Sequence, residues 1–69
     1  MQNMFDRRLR ELLKENDMTQ KELARRIGVS QSSITYWVNG VKQPTAENIY
    51  AVAKAFETTA DYLLGLSDY

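Results

Sequence analysis

Thr19-Gln20-Lys21-Glu22-Leu23-Ala24-Arg25-Arg26-Ile27-Gly28-Val29-Ser30-Gln31-Ser32-Ser33-Ile34 is the stretch on which the fold turns. Thr19 followed three residues later by Glu22 has the form of a capping box, and Met18 with Leu23 occupies the two positions of a hydrophobic staple. A helix therefore starts after Thr19, buries Leu23, Ala24 and Ile27, and stops at Gly28. Only Gly28-Val29-Ser30 separates it from a second helix. Ser30 caps that helix, and Val29 pairs with Ile34 as a second staple. Two short helices joined by so tight a Gly-containing turn form a helix-turn-helix. Ala24 is small where the second helix crosses, and Gly28 gives the turn its backbone freedom.

The second of these helices runs from Gln31 to Asn39, and Gly40 ends it. At about 100° per residue, Gln31, Thr35, Asn39, Ser32 and Tyr36 fall on one arc of about 140°, all able to hydrogen-bond. Ile34, Trp37 and Val38 fall on a separate apolar arc of about 100°. The outward face is thus rich in amides and hydroxyls and has no formal charge, where most exposed helices carry Lys and Glu. Such a face suits base-pair edges, which offer donors and acceptors rather than net charge. It equally fits an ordinary amphipathic helix with a polar exposed side. Trp37, on the apolar arc, is assigned to the core.

Outward from this pair the chain continues in helices. Asn3 can cap a first helix over about 4–15, with Asp6 in its first turn and Phe5, Leu9, Leu12 and Leu13 as its buried stripe. Asn16-Asp17 ends it, since both residue types tolerate the left-handed conformation. Val41-Lys42-Gln43-Pro44 is a short loop. Thr45 caps a fourth helix over about 46–56, which buries Ile49, Val52, Ala53 and Phe56 and turns Tyr50 and Lys54 outward. Thr59 caps a last short helix over about 60–65, with Tyr62, Leu63, Leu64 and Leu66 as its apolar residues. Ser67-Asp68-Tyr69 is a tail.

Composition narrows the possibilities further. The chain has 69 residues, one domain's worth, near the lower limit for a self-supporting core. Cysteine and histidine are absent, which removes disulfides, thiolate sites, the commonest general base and the commonest metal ligand. No apolar run approaches the ~20 residues of a membrane span, and no signal-peptide pattern opens the chain. The expected location is the cytoplasm. Catalysis would have to rest on carboxylates or lysines, and the carboxylates are scattered over helix surfaces, so the chain is read as no enzyme. Formal net charge is zero but uneven. Residues 1–27 hold seven basic and five acidic side chains, Lys42 is the one charge in residues 28–44, and the remainder sets four acidic residues against Lys54. A mildly basic end permits phosphate contact without demanding it.

Taken together, Thr19 to Ala24, Ile27 to Ile34, Trp37-Val38-Asn39-Gly40, Pro44-Thr45 and Asp61-Tyr62-Leu63-Leu64-Gly65 resemble the Cro/C1-type helix-turn-helix family of phage repressors and small bacterial regulators. The resemblance covers roughly Leu9 to Leu66. It implies a five-helix, all-α, lambda-repressor-like domain with the third helix as recognition helix. The domain spans 1–69, and longer repressors continue beyond such a domain into a linker and a second one. At Glu57-Thr58 family members usually carry Gly and an apolar residue. Some phage repressors of this type also bury an Arg–Glu pair where this chain has Leu13 and Val38, an exchange that removes a large desolvation cost.

The resemblance implies residue roles as well. Gln31, Ser32, Tyr36 and Thr35 would read bases, with adenine the natural partner of Gln31 through its N6 and N7. Gln20, Ser30, Asn39, Lys42 and Gln43 would hold phosphates, Gln20 at a positive helix end. Thr58, Tyr62 and Leu66 would form a dimer interface. The implied function is sequence-specific double-stranded DNA binding by a homodimer on a palindromic operator, in transcriptional repression. The alternative is a protein-interaction or antitoxin module on the same fold, which the zero net charge keeps open. No cofactor, metal or small-molecule ligand is required by either.

Overall fold

Thr19, Ser30, Thr45 and Thr59 each stand immediately before a helix, in extended backbone, and each side-chain oxygen accepts the N–H of the residue three positions on. The computed structural model, which describes residues 3–68, places five helices between these signals. They are α1 (Phe5–Glu15), α2 (Gln20–Ile27), α3 (Gln31–Val38), α4 (Ala46–Ala55) and α5 (Ala60–Leu64). No strand occurs among the described residues. At Thr19 the capping box is complete, because the Glu22 carboxylate also accepts the Thr19 N–H.

The helix ends follow one pattern. In α1, α3, α4 and α5 the chain turns through a left-handed residue just past the helix: Asp17, Gly40, Glu57 and Gly65 respectively. Each such residue donates its N–H three residues back, and the next residue donates five back, as in Asp17 to Lys14 and Met18 to Leu13. This is the Schellman arrangement, and it satisfies carbonyls the helix itself leaves open. The same geometry corrects three expected boundaries. α3 ends at Val38, α4 at Ala55 and α5 at Leu64, one residue before the expected ends, because Asn39, Phe56 and Gly65 already belong to the turns. Gly65 also swings the chain away from α5, so Leu66 is 77% exposed rather than buried. A Cβ on Gly65 would run into the Met4 side chain, and φ +85 is strained for other residues. Gly28, at φ +75, has open space around it, so its requirement is backbone conformation alone.

The start of α1 also differs from expectation. Met4, not Asn3, occupies the cap position and makes no side-chain cap bond. Asn3 still contributes, since its Oδ1 accepts the Phe5 N–H at 2.9 Å. Met4 N–H points to the Leu64 carbonyl at 3.5 Å, so the entry to α1 is fixed by the end of α5.

Among the described residues the core is wholly apolar, with no buried charged or polar residue. α1 contributes Phe5, Leu9, Leu12 and Leu13, the whole expected stripe. α2 contributes Leu23 and Ala24, and α3 contributes Ile34, Trp37 and Val38. Phe5 meets Trp37 edge to face, with centroids 6.0 Å apart. Val52, Ala53 and Leu63 close the core from α4 and α5. Ile27, Ile49 and Phe56, expected inside, are only half-buried at its rim. The staple residues Met18 and Val29 pack against the same core. Fully burying a residue such as Leu23 or Ile34 contributes about 2 kcal/mol, against about 1 kcal/mol for a cap. Packing therefore holds the helix pair together, and the caps set where each helix begins.

Candidate nucleic-acid interface

The Ser30 cap and the apolar arc of α3 decide which side chains face out. Ile34, Trp37 and Val38 are drawn into the core, so Gln31, Ser32, Thr35 and Tyr36 are left lining one shallow depression on the surface. Gln31 and Ser32 are exposed, Tyr36 is 41% exposed and Thr35 is half-buried. All four expected base readers thus share one face. Ser30 is already engaged: its Oγ accepts the Ser33 N–H at 3.2 Å and lies 3.1 Å from the Ser33 hydroxyl. Any contact it makes with an anion would come in addition to its capping role.

Thr35 is not free either. Its hydroxyl donates to Gln20 Oε1 at 2.7 Å and lies 3.2 Å from the Gln31 carbonyl. The start of α2 is thereby tied to the middle of α3. Tyr36 carries the Lys42 ammonium over its ring, 4.6 Å from the centroid. The Val41 and Lys42 N–H groups both point to the Tyr36 carbonyl, at 2.9 and 3.4 Å. The loop after α3 is thus clipped to the helix it follows, and Lys42 stands beside the depression.

Asn39 is exposed, and Gln43 accepts from Asn3 Nδ2 at 3.2 Å. These two share a small cleft with Asn3, Asp6 and Gly40. A second groove brings Gln20 and Asn39 together with Arg10 and Lys14 of α1. Both cations lie outside the buried stripe of α1. Arg10 donates to the Val38 carbonyl and lies 3.8 Å from Asp6, one helical turn back. It puts a positive charge at the C-terminal end of α3, which has no basic residue in its own last turn. The spacing of Asp6 and Arg10 was the available signal; the 28-residue reach to Val38 left none.

The expected dimer residues lie elsewhere. Thr58 is half-buried in a groove between α4 and α5, and Leu66 is exposed. Tyr62 is half-buried beneath the Arg8 guanidinium, 4.2 Å from its ring centroid. Arg8 also donates to the Ser67 carbonyl at 3.3 Å and lies 3.9 Å from the Asp68 carboxylate. Ser67 and Asp68, expected as a tail, are thus held against α1; Tyr69 lies outside the described residues. Among the described residues no cluster of side chains could hold a metal, and no helix is long and apolar enough to cross a membrane.

A helix-turn-helix family model matches residues 9–63, most of the chain. The chain belongs to that family. An uncharacterized helix-turn-helix-type transcriptional regulator of Bacillus subtilis, YobD, is 34% identical over 65 residues, 94% of this chain and 58% of that protein. The transcriptional activator BcrR of Enterococcus faecalis is 33% identical over 60 residues, 87% of this chain and 29% of its own length. This helix-turn-helix domain thus spans only part of both regulators. Among solved structures, the P22 c2 repressor in complex with a synthetic operator superposes with a TM-score of 0.83 at 34% identity, covering 93% of this chain and 96% of that one. The Cro/C1-type resemblance and the five-helix, lambda-repressor-like fold both stand.

Proposed function

We propose that this domain binds double-stranded DNA sequence-specifically, with α3 in the major groove, as the DNA-binding part of a transcriptional repressor. The observation that carries it is the uncharged polar face of Gln31, Ser32 and Tyr36, flanked by Gln20 at the start of α2 and by Lys42 in the following loop. That layout sets acceptor- and donor-rich groups where base edges would lie and N–H or ammonium groups where two phosphate backbones would run. Family membership and the likeness to the operator-bound P22 repressor support it. Gln31 reads adenine, Ser32 and Tyr36 read neighbouring positions, and Gln20, Ser30, Asn39, Lys42 and Gln43 hold phosphates. The domain acts in the cytoplasm without catalysis, as a dimer on a two-fold related site.

Selection of bound duplexes from a random pool, followed by sequencing, tests this. The expected result is an enriched palindromic motif whose binding falls steeply with salt. Recovery of no motif, with binding indifferent to salt, would overturn the reading in favour of a protein-binding role.

A further inference from the structure

We infer that Thr35 is not a base reader but a positioning residue, which fixes the polarity of the Gln20 amide so that only its N–H groups face the phosphate. The inference rests on the DNA-binding reading above. It starts from the single proton of the Thr35 hydroxyl. Two acceptors lie within reach, Gln20 Oε1 at 2.7 Å and the Gln31 carbonyl at 3.2 Å. A separation of 2.7 Å is the usual O–H···O distance and short for an N–H donor. It favours donation to Oε1 over the reversed pairing, in which the hydroxyl would accept from Nε2 and donate to the longer Gln31 contact. A glutamine amide is nearly symmetric in shape but opposite in polarity at its two ends. With Oε1 held by Thr35, Nε2 and its two hydrogens are left, and they have no partner among the described residues.

The direction matters because phosphate oxygens only accept. Gln20 is the first residue of α2, where backbone N–H groups lack helical acceptors. An amide presenting Nε2 adds donors to that positive end. Rotated by half a turn it would present Oε1 instead, an acceptor facing acceptors. Without Thr35 both orientations are open, and phosphate binding has to select one of them. The same bond couples the two helices across 15 residues of sequence, so a grip on the backbone at α2 sets the depth at which α3 sits. Base reading is left to Gln31, Ser32 and Tyr36.

The test compares Thr35→Val, which keeps the shape and removes the hydroxyl, with Thr35→Ser, which keeps the hydroxyl. Each is titrated with the selected duplex and with a scrambled one. Thr35→Val should weaken both duplexes by the same factor, about three- to tenfold per half-site, as expected when a freed, rotamer-rich Gln20 side chain has to be ordered on binding. Thr35→Ser should stay within about twofold of the unaltered chain. In a Gln20→Ala background, Thr35→Val should add nothing. In the DNA-free protein, the Gln20 side-chain amide resonances should move in Thr35→Val and stay in Thr35→Ser. If valine alters folding, Thr35→Ala removes the same hydroxyl and supports the helix. Loss of discrimination at a single base pair would overturn the inference, as would an unchanged Thr35→Val, equal damage by serine, or additivity with Gln20→Ala. An unaltered chain that binds no duplex at all would instead overturn the DNA-binding reading beneath it.

Discussion

Gln31 and Lys42 flank the same depression but stand in different chemical settings. Gln31 is exposed at the first position of α3, with an amide that can pair with adenine through two hydrogen bonds. Lys42 is a point charge held over the Tyr36 ring, able to sense phosphate but not base identity. Gln31→Ala should cost about 1–3 kcal/mol per half-site and relax preference at one base position. Lys42→Ala should weaken all duplexes alike and lower the salt slope by about one per half-site. Titration of matched and mismatched duplexes at several salt concentrations checks both. Equal weakening of matched and mismatched duplexes by Gln31→Ala would move the leading role to Tyr36. The position of Trp37 in the core was legible from periodicity alone, because burial follows the helical arc. The Thr35–Gln20 bond was not, since it depends on the distance between two helices and on side-chain torsions. The grip of Arg8 on Tyr62, Ser67 and Asp68 was hidden for the same reason: its partners lie more than 50 residues away.

At the scale of helices, starts were legible and ends less so. A Ser or Thr cap acts within three residues and leaves its mark in the sequence, as Thr19, Ser30, Thr45 and Thr59 do. A left-handed turn announces itself when glycine, asparagine or aspartate occupies it, as at Gly40 and Asp17, and Glu57 at φ 54 is such a turn with none of them. Its side chain is exposed and makes no ion pair among the described residues. Glu57→Gly should therefore relieve left-handed strain and raise stability by about 1 kcal/mol, read as a shift in denaturation midpoint. Destabilisation would mean that the backbone entropy of glycine outweighs the strain. The contact of α1 with α3 gives a second prediction. Leu13 and Val38 are 8% and 4% exposed and flank one groove. Val38→Glu would bury an unpaired carboxylate and should cost about 3 kcal/mol; adding Leu13→Arg should restore part of it. A double-mutant cycle without coupling would show that the two sites do not touch.

The dimensions of the whole domain bear on assembly. Its principal extents are 27 × 23 × 20 Å, while two half-sites on one face of a duplex lie about 34 Å apart, one helical turn. Two copies seated in successive major grooves would therefore meet only along an edge. The expected contacts, Thr58, Tyr62 and Leu66, offer little for such an edge: Thr58 is half-buried, Tyr62 is already covered on one ring face by Arg8, and Leu66 alone is freely exposed. One exposed leucine beside two half-buried residues is sparse material for a stable interface, which buries roughly 1,200 Å² or more. The free domain should thus sediment as a monomer at micromolar concentration, and two copies should bind a palindromic duplex cooperatively. Leu66→Glu should reduce that cooperativity without changing the affinity for a single half-site, because Leu66 lies outside the depression lined by Gln31, Ser32, Thr35 and Tyr36. Sedimentation velocity on the free chain and titration of full and half-site duplexes separate the possibilities. A tight dimer without DNA would place the interface elsewhere on the surface. Unchanged cooperativity in Leu66→Glu would leave DNA deformation, rather than protein contact, as the link between the two copies.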